Sequence, residues 1–268
     1  MNLRTLAALA LMALSTSSFA ADTKLVLTGS STIAPLALEI GRRFESLNPG
    51  VRIDVQSGGS SRGISDARSG LADIGMVSRA LKPEEADLKA HLIARDGVTV
   101  ITHASNPVKV LSKAQIIAIY TGKITNWKTL GGRDQAITVV NKAEGRSTLE
   151  LFTQFFGLKN EQIRAQVIIG DNQQGIKTVA GNPGAIGYVS IGTAEYEAEV
   201  GTPIRLLALD GVKALVANVS NETFPLARSL NLVTTPKPSG LAKRFIDFAQ
   251  SAAVHDIVKD QYFVPVAR

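Results

Sequence analysis

Apolar positions along the chain alternate between the spacing of strands and the spacing of helices. Every second residue is apolar over 51–55, which predicts a strand, whereas apolar residues recur every four positions over 36–44, which predicts a helix. Strand, polar loop and helix follow one another in this order, which favours an α/β sheet with ligand chemistry at the carboxyl ends of its strands. The pattern predicts strands over 24–28, 51–55, 72–77, 97–103, 137–141, 167–169, 185–189 and 229–234, and helices over 33–44, 64–69, 113–120, 149–156, 175–180 and 239–251.

The strand and helix pattern restarts after 105–107, which indicates a domain boundary there. A chain of 268 residues that is 45% hydrophobic and 19% charged can bury a substantial core. The length suits one large domain or two of ordinary size, and the composition excludes a disordered or fibrous protein.

The first twenty residues have the three parts of a signal peptide. Arg4 supplies the positive charge, residues 6–14 form the apolar run, and Ser18 and Ala20 are the small residues of a cleavage site. The apolar run is too short to span a membrane, which takes about 20 residues. We therefore expect export to the periplasm with cleavage after Ala20, and no lipid anchor, since no cysteine stands at the cleavage point.

Composition removes several classes of site. The chain has no cysteine, which excludes disulfides, thiolate metal sites and a cysteine nucleophile. The three histidines, His91, His103 and His255, lack metal-ligand spacing, so we expect no metal and no cofactor. The net charge of +6 suggests nucleic acid, but basic runs never exceed two residues and only 5% of residues are aromatic. We expect no nucleic-acid partner.

Four polar segments rich in serine, glycine and arginine follow predicted strands, and three of them stand directly before a helix. Backbone amides at a helix N-terminus have no internal partner and lie at the positive end of the helix dipole, so they favour anions. Serine hydroxyls and arginines add the convergent donors that a tetrahedral oxyanion needs. The segments are residues 29–32, 57–63, 78–79 and 142–148.

The second of these segments also permits a different class of function. Residues 59–63 satisfy the G-x-S-x-G pattern of a hydrolase nucleophile elbow, with Ser61 as the nucleophile. Asp171 and His255 follow in the chain order of a serine hydrolase triad. Serine as a hydrogen-bond donor explains all four segments, whereas serine as a nucleophile explains one, so the secreted hydrolase is the second hypothesis.

At these segments the chain resembles the phosphate-binding proteins of ATP-driven phosphate importers, the PstS family of the type II periplasmic binding proteins. The resemblance covers essentially the whole chain after the signal peptide. It rests on Gly29-Ser30-Ser31-Thr32 with Pro35, residues 58–63, Asp73-Ile74-Gly75 with Ser78-Arg79, residues 120–124 with Asn126-Trp127, residues 144–148 and residues 184–189.

The resemblance implies a two-lobed α/β fold with a ligand cleft between the lobes and two crossover strands. Lobe 1 would comprise 21–103 plus 224–268, and lobe 2 would comprise 104–223. It also implies a monomeric solute-binding protein, not an enzyme, which captures inorganic phosphate and delivers it to the permease of an ABC transporter in the inner membrane. Another tetrahedral oxyanion as ligand, and a phosphate sensor or scavenger that serves no transporter, remain open.

The resemblance also implies which residues bind the anion. Ser31, Thr32 and Ser60 would donate from one lobe, and the segment 144–148 would close from the other. Many relatives carry an aspartate at the position of Ser78, where it accepts the proton of hydrogen phosphate, so Glu144 is the alternative acceptor. The predicted phosphate ligands are Ser30, Ser31, Thr32, Ser60, Ser78, Arg79, Glu144, Arg146, Ser147 and Thr148, and the sequence leaves open which of Ser30 and Ser31 faces the ligand.

Overall fold

The computed structural model describes residues 23–266, so the predicted signal peptide and its cleavage site lie outside the described residues. Strands and helices alternate through most of this range, as the apolar pattern predicts. The strands are β1 Thr23–Gly29, β2 Val51–Ser57, β3 Ile74–Val77, β4 Lys89–His103, β5 Thr138–Lys142, β6 Val167–Ile169, β7 Ala185–Ser190, β8 Ile204–Leu206, β9 Ala227–Thr234 and β10 Val264–Pro265. The helices are α1 Ala34–Leu47, α2 Ser60–Ser69, α3 Lys113–Tyr120, α4 Ser147–Phe156, α5 Asn172–Ala180, α6 Ile191–Glu199, α7 Val216–Ser220, α8 Gly240–Ala249 and α9 His255–Asp260.

The strands form one continuous sheet with a parallel group at each end. The order is β2-β1-β3-β9-β4-β7-β5-β6, and β8 and β10 both pair with β4. Strand β1 is parallel to β2 and β3, and β5 is parallel to β6 and β7. The central strands β4 and β9 are antiparallel to each other and to their outer neighbours β7 and β3. These two strands therefore connect the two halves of the molecule.

Each half has its own hydrophobic core. In the first half, helices α1, α8 and α9 pack on β1 and β3, and Phe44 meets Phe245 edge to face at 5.4 Å between ring centroids. In the second half, Phe152 stacks on Tyr188 at 3.9 Å, beside the buried Trp127. Val98, within β4, and Phe224, just before β9, pack into this second core. The division of the chain at 103/104 and 223/224 stays a prediction.

Several boundaries differ from those that the sequence predicts, among them the starts of β4, α2 and α4. Strand β4 begins at Lys89 rather than at residue 97, because Asp96 is buried within the strand and its charge interrupts the apolar pattern. Helices α2 and α4 begin at Ser60 and Ser147, so their first turns lie within segments that the sequence predicts to be loops. Within 23–266, no helix has the length and apolar character that crossing a membrane requires.

Candidate anion-binding site

The carboxyl ends of the strands of both halves converge on Arg228, which lies near the start of β9. Its buried guanidinium donates from Nη2 to Thr32 Oγ1 at 3.2 Å and from Nη1 to Thr148 Oγ1 at 3.0 Å. Nη1 also lies 3.5 Å from Ser78 Oγ. Thr32 and Ser78 belong to the first half and Thr148 to the second. One guanidinium thus holds hydroxyls from three of the four predicted polar segments.

The charge of Arg228 is balanced by Asp96 on the neighbouring strand β4. Nε and Nη2 of Arg228 both donate to Asp96 Oδ2, at 2.9 and 2.7 Å. Ser190 Oγ donates to the same oxygen at 2.8 Å, and the amide of Gly192 donates to Oδ1 at 3.2 Å. Both side chains are essentially fully buried. Their hydrogen bonds hold the guanidinium in an orientation in which its other N–H groups point at the hydroxyls.

A second buried cation, Lys142, stands at the end of β5. Its Nζ donates to Asn172 Oδ1 at 3.1 Å, and Asn172 Nδ2 donates to Thr32 Oγ1 at 3.2 Å. A continuous hydrogen-bonded chain therefore runs from Lys142 through Asn172 and Thr32 to Arg228. Burial, and then the positive charge of Arg228, lower the pKa of Lys142 to about 7.

Two donors beside this chain lack a partner among the described residues. Arg146 Nε, just before α4, and Ser147 Oγ, in its first turn, are both buried and make no hydrogen bond. Buried polar atoms are almost always paired, so these atoms fit an acceptor that the chain itself does not supply. An oxyanion at the N-terminus of α4 would be such an acceptor.

The hydroxyls of Ser30 and Ser31 have different surroundings. Ser30 Oγ accepts the backbone amides of Thr32 and Ile33, at 3.2 and 3.4 Å, and so stabilises the turn before α1. Ser31 lines a cavity of about 640 Å³ that lies between the two halves. Thr32 and Asn172 line the same cavity, so the buried hydroxyls are next to an accessible space.

Ser60 and Gly59 shape the approach of the second polar segment. Ser60 Oγ accepts the amide of Ser78 at 3.2 Å, which joins α2 to the end of β3. Gly59 has φ +99°, and a Cβ at this position would lie 2.6 Å from the carbonyl oxygen of Gly145. The amide of Ser61 donates to that same oxygen at 3.2 Å. A glycine at position 59 therefore lets the two halves meet backbone to backbone.

Two of the predicted ligands are directed away from the buried hydroxyls. The Arg79 guanidinium donates to both oxygens of Glu85, at 2.7 and 2.8 Å, and its Nε lies 3.0 Å from Glu150 Oε2. Glu144 is exposed and accepts a hydrogen bond from Asn160 at 3.0 Å. The structure thus groups Thr32, Ser78 and Thr148 around Arg228 and leaves Arg79 and Glu144 outside this group. Acidic side chains that the sequence does not mark as partners hold Arg79 in place.

Comparison with known proteins identifies the family. Residues 15–253 match the PBP superfamily domain. The phosphate-binding protein PstS of Bacillus subtilis (strain 168) is 34% identical over 252 residues, which cover 92% of this chain and 82% of that protein. The chain belongs to the PstS family.

Solved structures agree with this membership. The structure of a putative phosphate ABC transporter substrate-binding protein with bound phosphate from Clostridium perfringens is 37% identical, covers 91% of this chain and all of that one, and has a TM-score of 0.83. An ABC-type phosphate transport receptor from Vibrio cholerae is 27% identical, covers 90% of this chain and all of that one, and has a TM-score of 0.75. The predicted type II periplasmic-binding-protein fold is confirmed.

The hydrolase hypothesis is wrong. The PstS family consists of binding proteins rather than enzymes, and two of the three residues of the supposed triad make other contacts. The exposed Ser61 hydroxyl lies 3.5 Å from Glu150 Oε1, and Asp171 accepts the amide of Gln174 as the N-cap of α5. No hydrogen bond joins Ser61 to a histidine within the part of the chain that the structure describes. Among these same residues, no group of three acidic or histidine side chains is arranged to hold a metal ion.

Sequence reasoning missed four members of the buried cluster, namely Arg228, Asp96, Lys142 and Asn172. Lys142 lies within the polar segment 142–148, and a lysine that ends a buried strand is a signal that could have found it. Arg228 and Asp96 each place a charge at the edge of an apolar run within a strand, which is a second signal. Asn172 shows no comparable signal.

Proposed function

We propose that this protein captures inorganic phosphate between its two halves and delivers it to an ABC importer. The observation that carries the proposal is the arrangement around Arg228, whose guanidinium lies among the hydroxyls of Thr32, Ser78 and Thr148 from both halves. The unpartnered donors Arg146 Nε and Ser147 Oγ lie on the same polar segment as Thr148. Positive charge and hydroxyl donors together suit a small tetrahedral oxyanion.

Binding would be coupled to closure of the two halves. The hydroxyls that contact Arg228 can each donate to an anion, and they reach one anion together only when the two halves, which β4 and β9 connect, lie close to each other. A ligand that contacts both halves stabilises the closed form by its differential affinity for that form. No bond is made or broken, which agrees with membership of a family of binding proteins.

The ligand is supported by the names of the relatives. The Bacillus subtilis relative is a phosphate-binding protein, and the Clostridium perfringens structure holds phosphate. Its description as an ABC transporter substrate-binding protein supports a membrane permease as the partner of this chain. We extend the proposal to export into the periplasm, with cleavage after Ala20, and to a monomer in solution.

Isothermal titration of the protein without residues 1–20, against phosphate, sulfate and molybdate, tests the proposal. Phosphate should bind tightest, with one site per chain. The variant Arg228→Met should lose most of this affinity, while circular dichroism verifies that it remains folded. Tighter binding of sulfate or molybdate would contradict the assignment of phosphate. Phosphate uptake by cells that lack and then regain the protein separates transport from sensing or scavenging.

A further inference from the structure

The amino group of Lys142 has fewer partners than a buried ammonium needs. Lys142 is 3% exposed, and within 23–266 its Nζ makes one hydrogen bond, to Asn172 Oδ1. An ammonium group has three hydrogens to donate, and a buried charge without paired hydrogens is costly. A neutral amine fits this environment better, because it donates one hydrogen to Asn172 and keeps a lone pair to accept another.

The charged groups around Lys142 favour the neutral amine. Arg228 on β9 and Arg146 before α4 are both positive and both lower its pKa, while Asp171 at the start of α5 acts in the opposite direction. From β7, the Tyr188 hydroxyl accepts the backbone amide of Lys142 at 3.3 Å, and burial raises the pKa of Tyr188, so this hydroxyl stays protonated. With burial as the largest cause, the pKa of Lys142 falls to about 7.

We propose that Lys142 determines ligand specificity: buried beside Asn172 and within the Arg228 cluster, its neutral amine accepts the hydrogen of hydrogen phosphate. This inference rests on the proposed phosphate function and adds the group that distinguishes phosphate from sulfate. The O–H of the bound anion points at Nζ, and the proton is either shared or transferred to the nitrogen. No proton is taken from solvent in either case.

Two acidic side chains that could otherwise accept this hydrogen, Asp96 and Glu144, already accept hydrogen bonds from the protein. Asp96 accepts hydrogen bonds from Arg228, Ser190 and Gly192. Glu144 is exposed and bonded to Asn160. Sulfate carries no proton near neutral pH, so its oxygens would face the lone pair of Lys142 until the amine takes a proton from water. Sulfate binding therefore requires proton uptake that hydrogen phosphate does not.

A proton inventory tests this difference. Titration calorimetry at about pH 8.5, in buffers of different ionisation enthalpy, measures the protons taken up with each anion. We expect close to one proton with sulfate and close to none with hydrogen phosphate. Equal uptake for the two anions would overturn the proposal, because Lys142 would then be an ordinary cationic donor or would not titrate on binding.

The pH dependence of affinity provides a second test. Above the pKa of Lys142, sulfate affinity should fall about tenfold per pH unit, since each complex must gain a proton, while the affinity for hydrogen phosphate stays nearly constant. At about pH 6, where the lysine is protonated, sulfate should bind. Sulfate binding that is absent at pH 6, or that does not change up to pH 9, would overturn the proposal.

Two variants assign the effect to Lys142 itself. Lys142→Arg carries a permanent charge, so its sulfate affinity should not depend on pH and its preference for phosphate should shrink. Lys142→Met removes the amine and should abolish proton uptake with sulfate. Lys128→Met, at an exposed lysine, is the matched control and should behave as the wild type. If the wild type binds no phosphate, the proposed function fails. If it binds phosphate but Lys142→Arg or Lys142→Met leaves the pH dependence of sulfate binding unchanged, only this inference fails.

Discussion

Arg228 and Asp96 are paired both through their backbones and through their side chains. They are register partners on the antiparallel strands β9 and β4, and Arg228 Nη2 lies 2.7 Å from Asp96 Oδ2. Both side chains are almost completely buried, at 0% and 1% exposure. Since β4 and β9 connect the two halves, any change in the angle between the halves must bend these strands near the charge pair.

Removal of the Asp96 charge should destabilise the protein strongly. Asp96→Asn keeps the shape of the side chain but leaves the Arg228 guanidinium as an uncompensated buried charge. Loss of one partner of a buried pair costs about 3–5 kcal/mol. Urea denaturation in phosphate-free buffer should show a decrease of this size in the free energy of unfolding. The exposed pair of Asp134 and Lys128 provides the control, since Asp134→Asn should cost only about 0–1 kcal/mol. Similar effects of the two substitutions would contradict this account.

Arg146 should contribute directly to anion affinity. Its Nε is buried and makes no hydrogen bond within the described chain, so a bound oxyanion would be its first acceptor. Arg146→Ala should weaken phosphate binding by on the order of 1.5–3 kcal/mol, as expected for a charge-assisted hydrogen bond. Titration calorimetry measures the loss, and Arg244→Ala, on the exposed face of α8, is the matched control. Equal affinities of these two variants would exclude Arg146 from direct contact with the anion.

The local elements of the fold could be predicted from the sequence, because apolar spacing and capping residues act over a few positions. Strand β2 and helix α4 follow from such patterns with small errors at their ends. Strand β4 shows where this reasoning stops. From the sequence alone, Asp96 is expected on the surface, because its buried partner Arg228 is 132 positions away in the chain. The pairing of β4 with β9 creates this environment, and no local pattern contains it.

Only some of the site residues could be predicted, because local patterns do not contain long-range contacts. Ser and Thr residues at strand ends could be found because helix N-termini mark them locally, and Thr32 and Thr148 do meet at Arg228. Arg79 could not be excluded, because its pairing with Glu85 depends on how the segment after β3 folds. The turn before α1 determines whether Ser30 or Ser31 can reach the anion. In this turn Ser30 Oγ already accepts hydrogen bonds from two backbone amides.

Glu150 should favour the closed arrangement of the two halves. It lies in the first turn of α4, in the second half, and its Oε2 is 3.0 Å from Arg79 Nε and 2.9 Å from Lys82 Nζ, both in the first half. Glu150 and Lys82 are partly exposed, so the contribution is about 0.2–1 kcal/mol. Glu150→Gln should therefore weaken phosphate affinity about 1.4- to fivefold without loss of a contact to the anion.

Small-angle X-ray scattering separates this effect from direct binding. The unliganded Glu150→Gln protein should have a larger radius of gyration than the wild type, and saturating phosphate should remove the difference. Glu161→Gln is the control, because Glu161 faces Lys159 at 3.9 Å on an exposed surface of the second half alone. An affinity loss in Glu150→Gln that matches this control would show that the contact across the cleft does not favour closure.

Stability of the phosphate-free protein should rise with pH through the titration of Lys142. Its pKa is lowered from 10.5 to about 7 in the folded protein, whereas the unfolded chain keeps the ordinary value. Between these values the unfolded state binds more protons, so the free energy of unfolding increases with pH, by at most about 1.4 kcal/mol per pH unit. Below pH 7 both states are protonated and the contribution no longer changes. The unfolding free energy of the wild type minus that of Lys142→Met, measured by urea denaturation, should therefore become more positive from about pH 7 to pH 9. The difference between the wild type and Lys128→Met should stay constant over the same range, and a constant difference for Lys142→Met as well would mean that Lys142 is charged throughout.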